Sequence, residues 1–258
     1  MDLGIKGLRV LITAGAGGIG RVMARAFLGE GARVHICDVD EAAMAELKSS
    51  HPAITQTLCD VADRGQVKRL FETAVTGMGG LDCLINNAGI AGPTARVDEI
   101  APEDWDRTLA VCITGQFNCA RLAVAHLARS KNPSIINLSS AAGKFGFPLR
   151  TPYAAAKWGV IGFTKSLSME LGSMGVRVNA ILPGAVDGDR IQRVFEAKAR
   201  ARNVSREQMQ TEVLARASIK ELIGPEQLAD MALLLASPRG RTISGQAISV
   251  DGDLQGLA

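Results

Sequence analysis

The sequence predicts an α/β fold of Rossmann type: a doubly wound sheet of seven parallel strands with helices on both faces. Short runs rich in Val, Ile and Leu alternate with helical patterns along the whole chain, and such alternation implies parallel strands joined by crossover helices. The length of 258 residues suits one large α/β domain, able to bury roughly 70–75% of its unfolded surface. No composition break, internal repeat or low-complexity segment divides it, so residues 1–258 are expected to form one domain.

The elements follow in order. Residues 8–13 (LRVLIT) make a β-rich run, then a glycine cluster, then a helical pattern through Ala26, Phe27 and Leu28. A second strand is expected over 33–37, a helix over 41–48, a third strand over 54–58, a helix over 67–75 and a fourth strand over 81–85. A long helix should span 102–129, followed by a strand at 134–138, a helix bearing Tyr153 and a sixth strand at 176–182. Residues 187–223 are too long for a simple connection and helical in pattern, which fits a lid over a site at the strand ends. A last helix and a seventh strand at 246–250 close the set.

Composition narrows the function classes. The apolar fraction is 47% and no unbroken apolar run approaches the ~20 residues of a bilayer crossing, which argues against a membrane protein. The first residues show neither a basic nor an apolar signal region, so a cytoplasmic location is expected. Cys37, Cys59, Cys83, Cys112 and Cys119 contain no Cys-x-x-Cys pair and read as reduced, packed thiols. His35, His51 and His126 lack ligand spacing, so no catalytic metal is expected. A net charge of +3, with no basic stripe, argues against a nucleic-acid partner.

The glycine cluster Thr13-Ala14-Gly15-Ala16-Gly17-Gly18-Ile19-Gly20 lies between a strand and a helix, the setting in which backbone and helix N-terminus receive a pyrophosphate. Gly15, Gly18, Ile19 and Gly20 are the expected contacts. Asp38 ends the second strand, twenty residues after Gly18, where a carboxylate accepts bonds from ribose hydroxyls and repels a 2′-phosphate. No Lys or Arg lies in the loop or directly after Asp38, so NAD is favoured over NADP.

Tyr153 is the only tyrosine, and Lys157 follows one helical turn later on the same face. A free phenol titrates near ~10 and becomes a useful base at neutral pH only when a cation stabilises its charged form. Ser140, at the end of the 134–138 strand, can bind a substrate oxygen. Tyr-x-x-x-Lys alone is weak evidence, since an ordinary surface pair would look the same; the glycine loop gives it weight.

Together these residues, with Asp60-Val61, Asn86-Asn87-Ala88-Gly89 and Pro183-Gly184, make the whole chain similar to the short-chain dehydrogenases/reductases. The resemblance implies Ser140, Tyr153 and Lys157 as catalytic residues, Asp60 and Val61 at the adenine, Asn87 on the adenosine side, and Val186 beside the nicotinamide. It also implies that Tyr153 and Lys157 touch the cofactor, and that the protein is a homotetramer paired through the helices after the fourth and fifth strands. Three positions depart from the family pattern: Ala14 replaces the first glycine, Cys112 a catalytic asparagine, and Gly188 a threonine. Cys112 cannot supply an amide to a water relay behind Lys157.

The implied activity is the NAD-dependent interconversion of a secondary alcohol, such as a polyol or sugar, and its ketone. An NADPH-dependent 3-ketoacyl carrier reductase is the alternative, and a non-catalytic dinucleotide sensor is the alternative from another class. Six basic residues against Glu196 between Arg190 and Arg206 could attract an anionic or highly hydroxylated substrate, although a solvated helical face explains them more simply.

Overall fold

The structure, a computed structural model, describes residues 2–257. Seven strands form one sheet in the order β3-β2-β1-β4-β5-β6-β7, every pairing parallel. They are β1 (Arg9–Thr13), β2 (Arg33–Asp38), β3 (Thr55–Leu58), β4 (Cys83–Asn86), β5 (Ser134–Leu138), β6 (Arg177–Pro183) and β7 (Ala247–Val250). The chain winds outward from β1 to β3, then returns to lay β4 on the other side of β1. That reversal opens a crevice beyond the carboxyl ends of β1 and β4.

Helices cover both faces. On one, α1 (Gly18–Gly29), α2 (Glu41–Ser50) and α9 (Pro225–Ala236) bury Met23, Phe27, Leu47 and Leu235 against Val10 and Ile12. On the other, α3 (Arg64–Met78), α5 (Gly115–Leu127) and α6 (Thr151–Leu171) pack Leu70, Phe71, Leu127 and Leu171 against Leu11 and Leu84. Neighbouring residues of β1 thus serve opposite cores, which is why the central strands read as continuous apolar runs. Burying one such side chain stabilises the fold by about 1.5–3 kcal/mol.

Local chemistry sets the helix ends. The side chain of Asp40 accepts from the Ala43 amide at α2, that of Asp63 from the Gly65 and Gln66 amides at α3, and Gly79 ends α3 with φ +74°. By contrast Gly17 gives α1 no side-chain cap, leaving its first amides free for a ligand.

The helix expected over 102–129 is one rod in three parts: α4 (Pro102–Leu109), a π-helical turn Ala110–Thr114, and α5. By length and composition, Pro102–Leu127 is the one described helix that passes for a membrane span, but half of its apolar window is buried inside the fold, as in a core helix.

Between β6 and α9 lie α7 (Asp189–Arg202) and α8 (Arg206–Leu214), which share a small core of Phe195, Ala199 and Met209. Their ends are tied to the sheet where Asp187 donates to the Ile223 carbonyl (2.9 Å) and Ile223 to that of Ala185 (2.8 Å). All five cysteines are free and buried.

Candidate active site

The glycine loop crosses the crevice at the end of β1. A side chain at Gly15 would meet Ile36 at 2.6 Å, and one at Gly20 would run into the Ala14 carbonyl, so both positions require glycine for packing. Gly17 and Gly18 instead face open space at the uncapped start of α1. Asn87 clamps the loop by donating to the carbonyls of Thr13 and Ala14, both at 3.0 Å, while the Thr13 hydroxyl accepts from the amides of Asn87 (3.0 Å) and Ala88 (2.9 Å). Free helix amides beside an open backbone suit a phosphate group.

Asp38 stands at the rim. One carboxylate oxygen accepts from Ala16 (3.0 Å), and the other from Val39 (2.8 Å) and Asp40 (3.3 Å). One lone pair therefore remains for a hydroxyl. Arg21, on α1, is engaged by Glu46 at 2.8 Å. Asp60 pairs with Arg107 at 2.9 Å. Val61 turns its side chain into the core against Gly115, so only its backbone can face a ligand. Val186 is half-buried beyond β6 and pairs with Ile223.

Tyr153 and Lys157 share one face of α6, with the ammonium 5.6 Å from the ring centroid. Lys157 is 3% exposed and donates to the Leu138 carbonyl at 2.7 Å, which fixes the charge beneath the phenol. Burial pushes the phenol's pKa up, but Lys157, Arg190 and the Ser140 hydroxyl more than reverse this, and the net shift is downward. Ser140 follows β5 in extended backbone, its Oγ accepting from the Ala142 amide at 3.1 Å. The structure thus brings Ser140, Tyr153 and Lys157 together.

Cys112 lies within the π-helical turn, where its thiol accepts from the Ile90 amide and donates to the Ile90 carbonyl, each at 3.4 Å. A side chain at Gly89 would come 3.5 Å from Lys157 Nζ and 3.7 Å from Cys112 Sγ, so the lysine and the thiol both border Gly89. Gly188 adopts φ +135°, a conformation that threonine would strain to reach.

Sequence reasoning missed two features. A buried chain runs from Asn86 to Asn137 (2.9 Å) to Thr164 (2.9 Å) below the crevice. Arg150, ahead of α6, places its guanidinium carbon 5.6 Å from the Tyr153 ring and donates to the carbonyl of Ala91 (2.5 Å) and, more weakly, to the Thr94 hydroxyl (3.4 Å). Pro148, suited to the second place of a turn, was the one available signal.

Comparison with known proteins places this geometry. A family model described as enoyl-(acyl carrier protein) reductase matches residues 14–254. The chain belongs to the short-chain dehydrogenase/reductase family. It is 34% identical to 3-oxoacyl-[acyl-carrier-protein] reductase of Thermotoga maritima, over 97% of this chain and 98% of that one. It is 36% identical to sorbitol dehydrogenase of Cereibacter sphaeroides, over 96% and 97%. The fold of NAD+-bound xylitol dehydrogenase superposes with a TM-score of 0.92 at 22% identity, covering 96% of this chain and 99% of that one. As a short-chain dehydrogenase/reductase, the protein is an oxidoreductase acting on CH–OH groups.

Proposed function

We propose that the protein is an NAD-dependent dehydrogenase that interconverts a secondary alcohol and its ketone. The placement of the Lys157 ammonium beside the Tyr153 ring, with Ser140 at the adjacent strand end, carries this reading. Ser140 holds the substrate oxygen, and Tyr153, kept partly ionised by Lys157, takes the hydroxyl proton in oxidation and returns it in reduction. NAD, when bound, supplies the hydride acceptor.

Gly15, Gly18, Ile19 and Gly20 would hold the pyrophosphate against the free amides of α1. Asp38 would take a ribose hydroxyl, Asp60 and the Val61 backbone the adenine, Asn87 the adenosine side, and Val186 the nicotinamide. Tyr153 and Lys157 would complete the pocket at the nicotinamide ribose. The open space over Gly17 and Gly18 supports this fit. Asp38 favours NAD, because its carboxylate would accept a ribose hydroxyl and repel a 2′-phosphate. The similarity to 3-oxoacyl-[acyl-carrier-protein] reductase keeps an NADPH-dependent ketoacyl reductase as the second reading; parallel titrations with NAD and NADP separate the two.

Residues 1–258 act as one domain in this reading, with residues 187–223 as a lid over the substrate. Exposed Phe117, Trp158 and Met169 on α5 and α6 offer apolar surface for a homotetramer in the cytoplasm.

The test is Tyr153→Phe. Its kcat should fall by about 10²–10⁴-fold, with NADH binding, followed by fluorescence, within a few-fold of the parent. Joint loss of binding and turnover would assign Tyr153 a structural role.

A further inference from the structure

Three cations cluster around the rings of Tyr153 and Phe147, and none has an acidic partner among the described residues. Arg150 and Lys198 are each 2% exposed, while Arg190 reaches in from the exposed start of α7. Two rings connect them. The Arg150 guanidinium carbon lies 5.6 Å from the Tyr153 centroid and 5.5 Å from that of Phe147. Lys198 Nζ stands 3.9 Å from the centroid of Phe147, and the Arg190 guanidinium carbon 5.8 Å from that of Tyr153.

Their hydrogen bonds leave charge to spare. Arg190 donates to the Gly89 carbonyl at 3.2 Å. Arg150 bonds Ala91 and Thr94, yet its buried Nε has no acceptor. Lys198 makes no hydrogen bond with any described residue. A largely buried lysine without a counter-ion among the described residues is destabilising, and such groups persist where function needs them. Burial first, then Arg150, Arg202 and Arg216, pulls the Lys198 pKa down to about 7.

The backbone carries strain at the same place. Phe147-Pro148-Leu149-Arg150 closes a turn through the Arg150 amide and Phe147 carbonyl (3.1 Å), with Leu149 at φ +64° where glycine is preferred. The cofactor's phosphates do not explain the cluster. Their expected place is the start of α1 beside β1, two strands away from β5 and the segment carrying Phe147 and Arg150.

We propose that Arg150, Arg190 and Lys198 form an anion subsite, and that the substrate is a small hydroxy acid, or the matching oxo acid, bearing a carboxylate or phosphate a few bonds from the reacting carbon. This narrows the substrate class of the dehydrogenase reading above and rests on it. Oxidation breaks the C–H and O–H bonds of the carbinol, sending hydride to NAD and the proton to Tyr153; the anionic group is unchanged and serves as the handle.

The test uses the full chain with NAD and compares kcat/KM for three- to five-carbon hydroxycarboxylates, small hydroxyalkyl phosphates, and neutral polyols and secondary alcohols of matched size. The acid-to-neutral ratio should be large in the parent and fall roughly a hundredfold in Lys198→Met and in Arg190→Met. Arg193→Met, exposed on the same helix, is the control and should keep the ratio. Without cofactor, malonate or phosphate should raise the Tm of the parent and leave that of Lys198→Met unmoved; whichever ion acts identifies the anionic group. Preference for neutral polyols, with no anion effect on Tm, overturns the subsite even when Tyr153→Phe is inactive. An equal loss of NAD affinity in both lid variants also overturns it, by assigning the cations to the cofactor. Turnover surviving in Tyr153→Phe sinks the dehydrogenase reading instead.

Discussion

The thiol of Cys112 faces the backbone of Ile90 in both directions, 3.4 Å from its amide nitrogen and 3.4 Å from its carbonyl oxygen. Sulfur is a weak donor and a weak acceptor, so a thiol makes in softer form the paired contact that an amide side chain would make there. Cys112→Ala should cost about 1–3 kcal/mol in urea unfolding, because both Ile90 groups lose their partner. Cys112→Asn should form two stronger bonds and raise kcat; a lower kcat would show that the cavity is shaped to sulfur.

Ala14 holds φ +51° in the loop where the family carries glycine. A left-handed residue with a Cβ costs about 1–2 kcal/mol, partly offset by glycine's greater freedom in the unfolded chain. Ala14→Gly should therefore stabilise the protein by about 0.5–1 kcal/mol, read as a shift of the urea midpoint at constant m.

Oxidation should follow the ionisation of Tyr153. Lys157 and Arg190 both favour the phenolate, against burial. Alcohol oxidation should rise with pH through that ionisation. In Arg190→Met the rise should move to higher pH, since one stabilising cation is gone. A profile that stays in place would show that Arg190 does not act on the phenol.

Lys198 makes stability depend on pH in a stated window. Its folded pKa, about 7, lies below the unfolded value of about 10.4, so between them the unfolded chain binds more protons and stability rises with pH. The groups facing it are Arg150, Arg202 and Arg216, with Glu212 paired to Arg202 at 2.6 Å. Lys198→Met should raise Tm most below pH 7, with the gain shrinking toward pH 10. A gain constant across this range would mean that the ammonium carries no penalty in the fold.

Much of this architecture is legible in the chain. β1, the glycine loop and α1 announce themselves because strand, turn and helix each leave a local signature, and Tyr153 with Lys157 needs only one helical turn to meet. The π-helical turn at Ala110–Thr114 left no such mark, since one shifted hydrogen bond does not alter the apolar pattern. Lys198 was read with the solvated face of α7, and the exposed Arg193 and Arg200 and the paired Arg202 and Arg206 fit that expectation. Its burial depends on Phe147, some fifty positions away, and no local rule reports such a meeting.

Asn86 and Asn137 sit directly opposite each other where β4 meets β5. A chain that zipped these strands together one residue out of step would part the two amides, setting Asn86 beside Ile136 or Asn137 beside Ile85 in a dry interior. The pair thus edits folding itself: mispaired sheets are penalised at their centre, and only the correct alignment goes on to shape the crevice mouth.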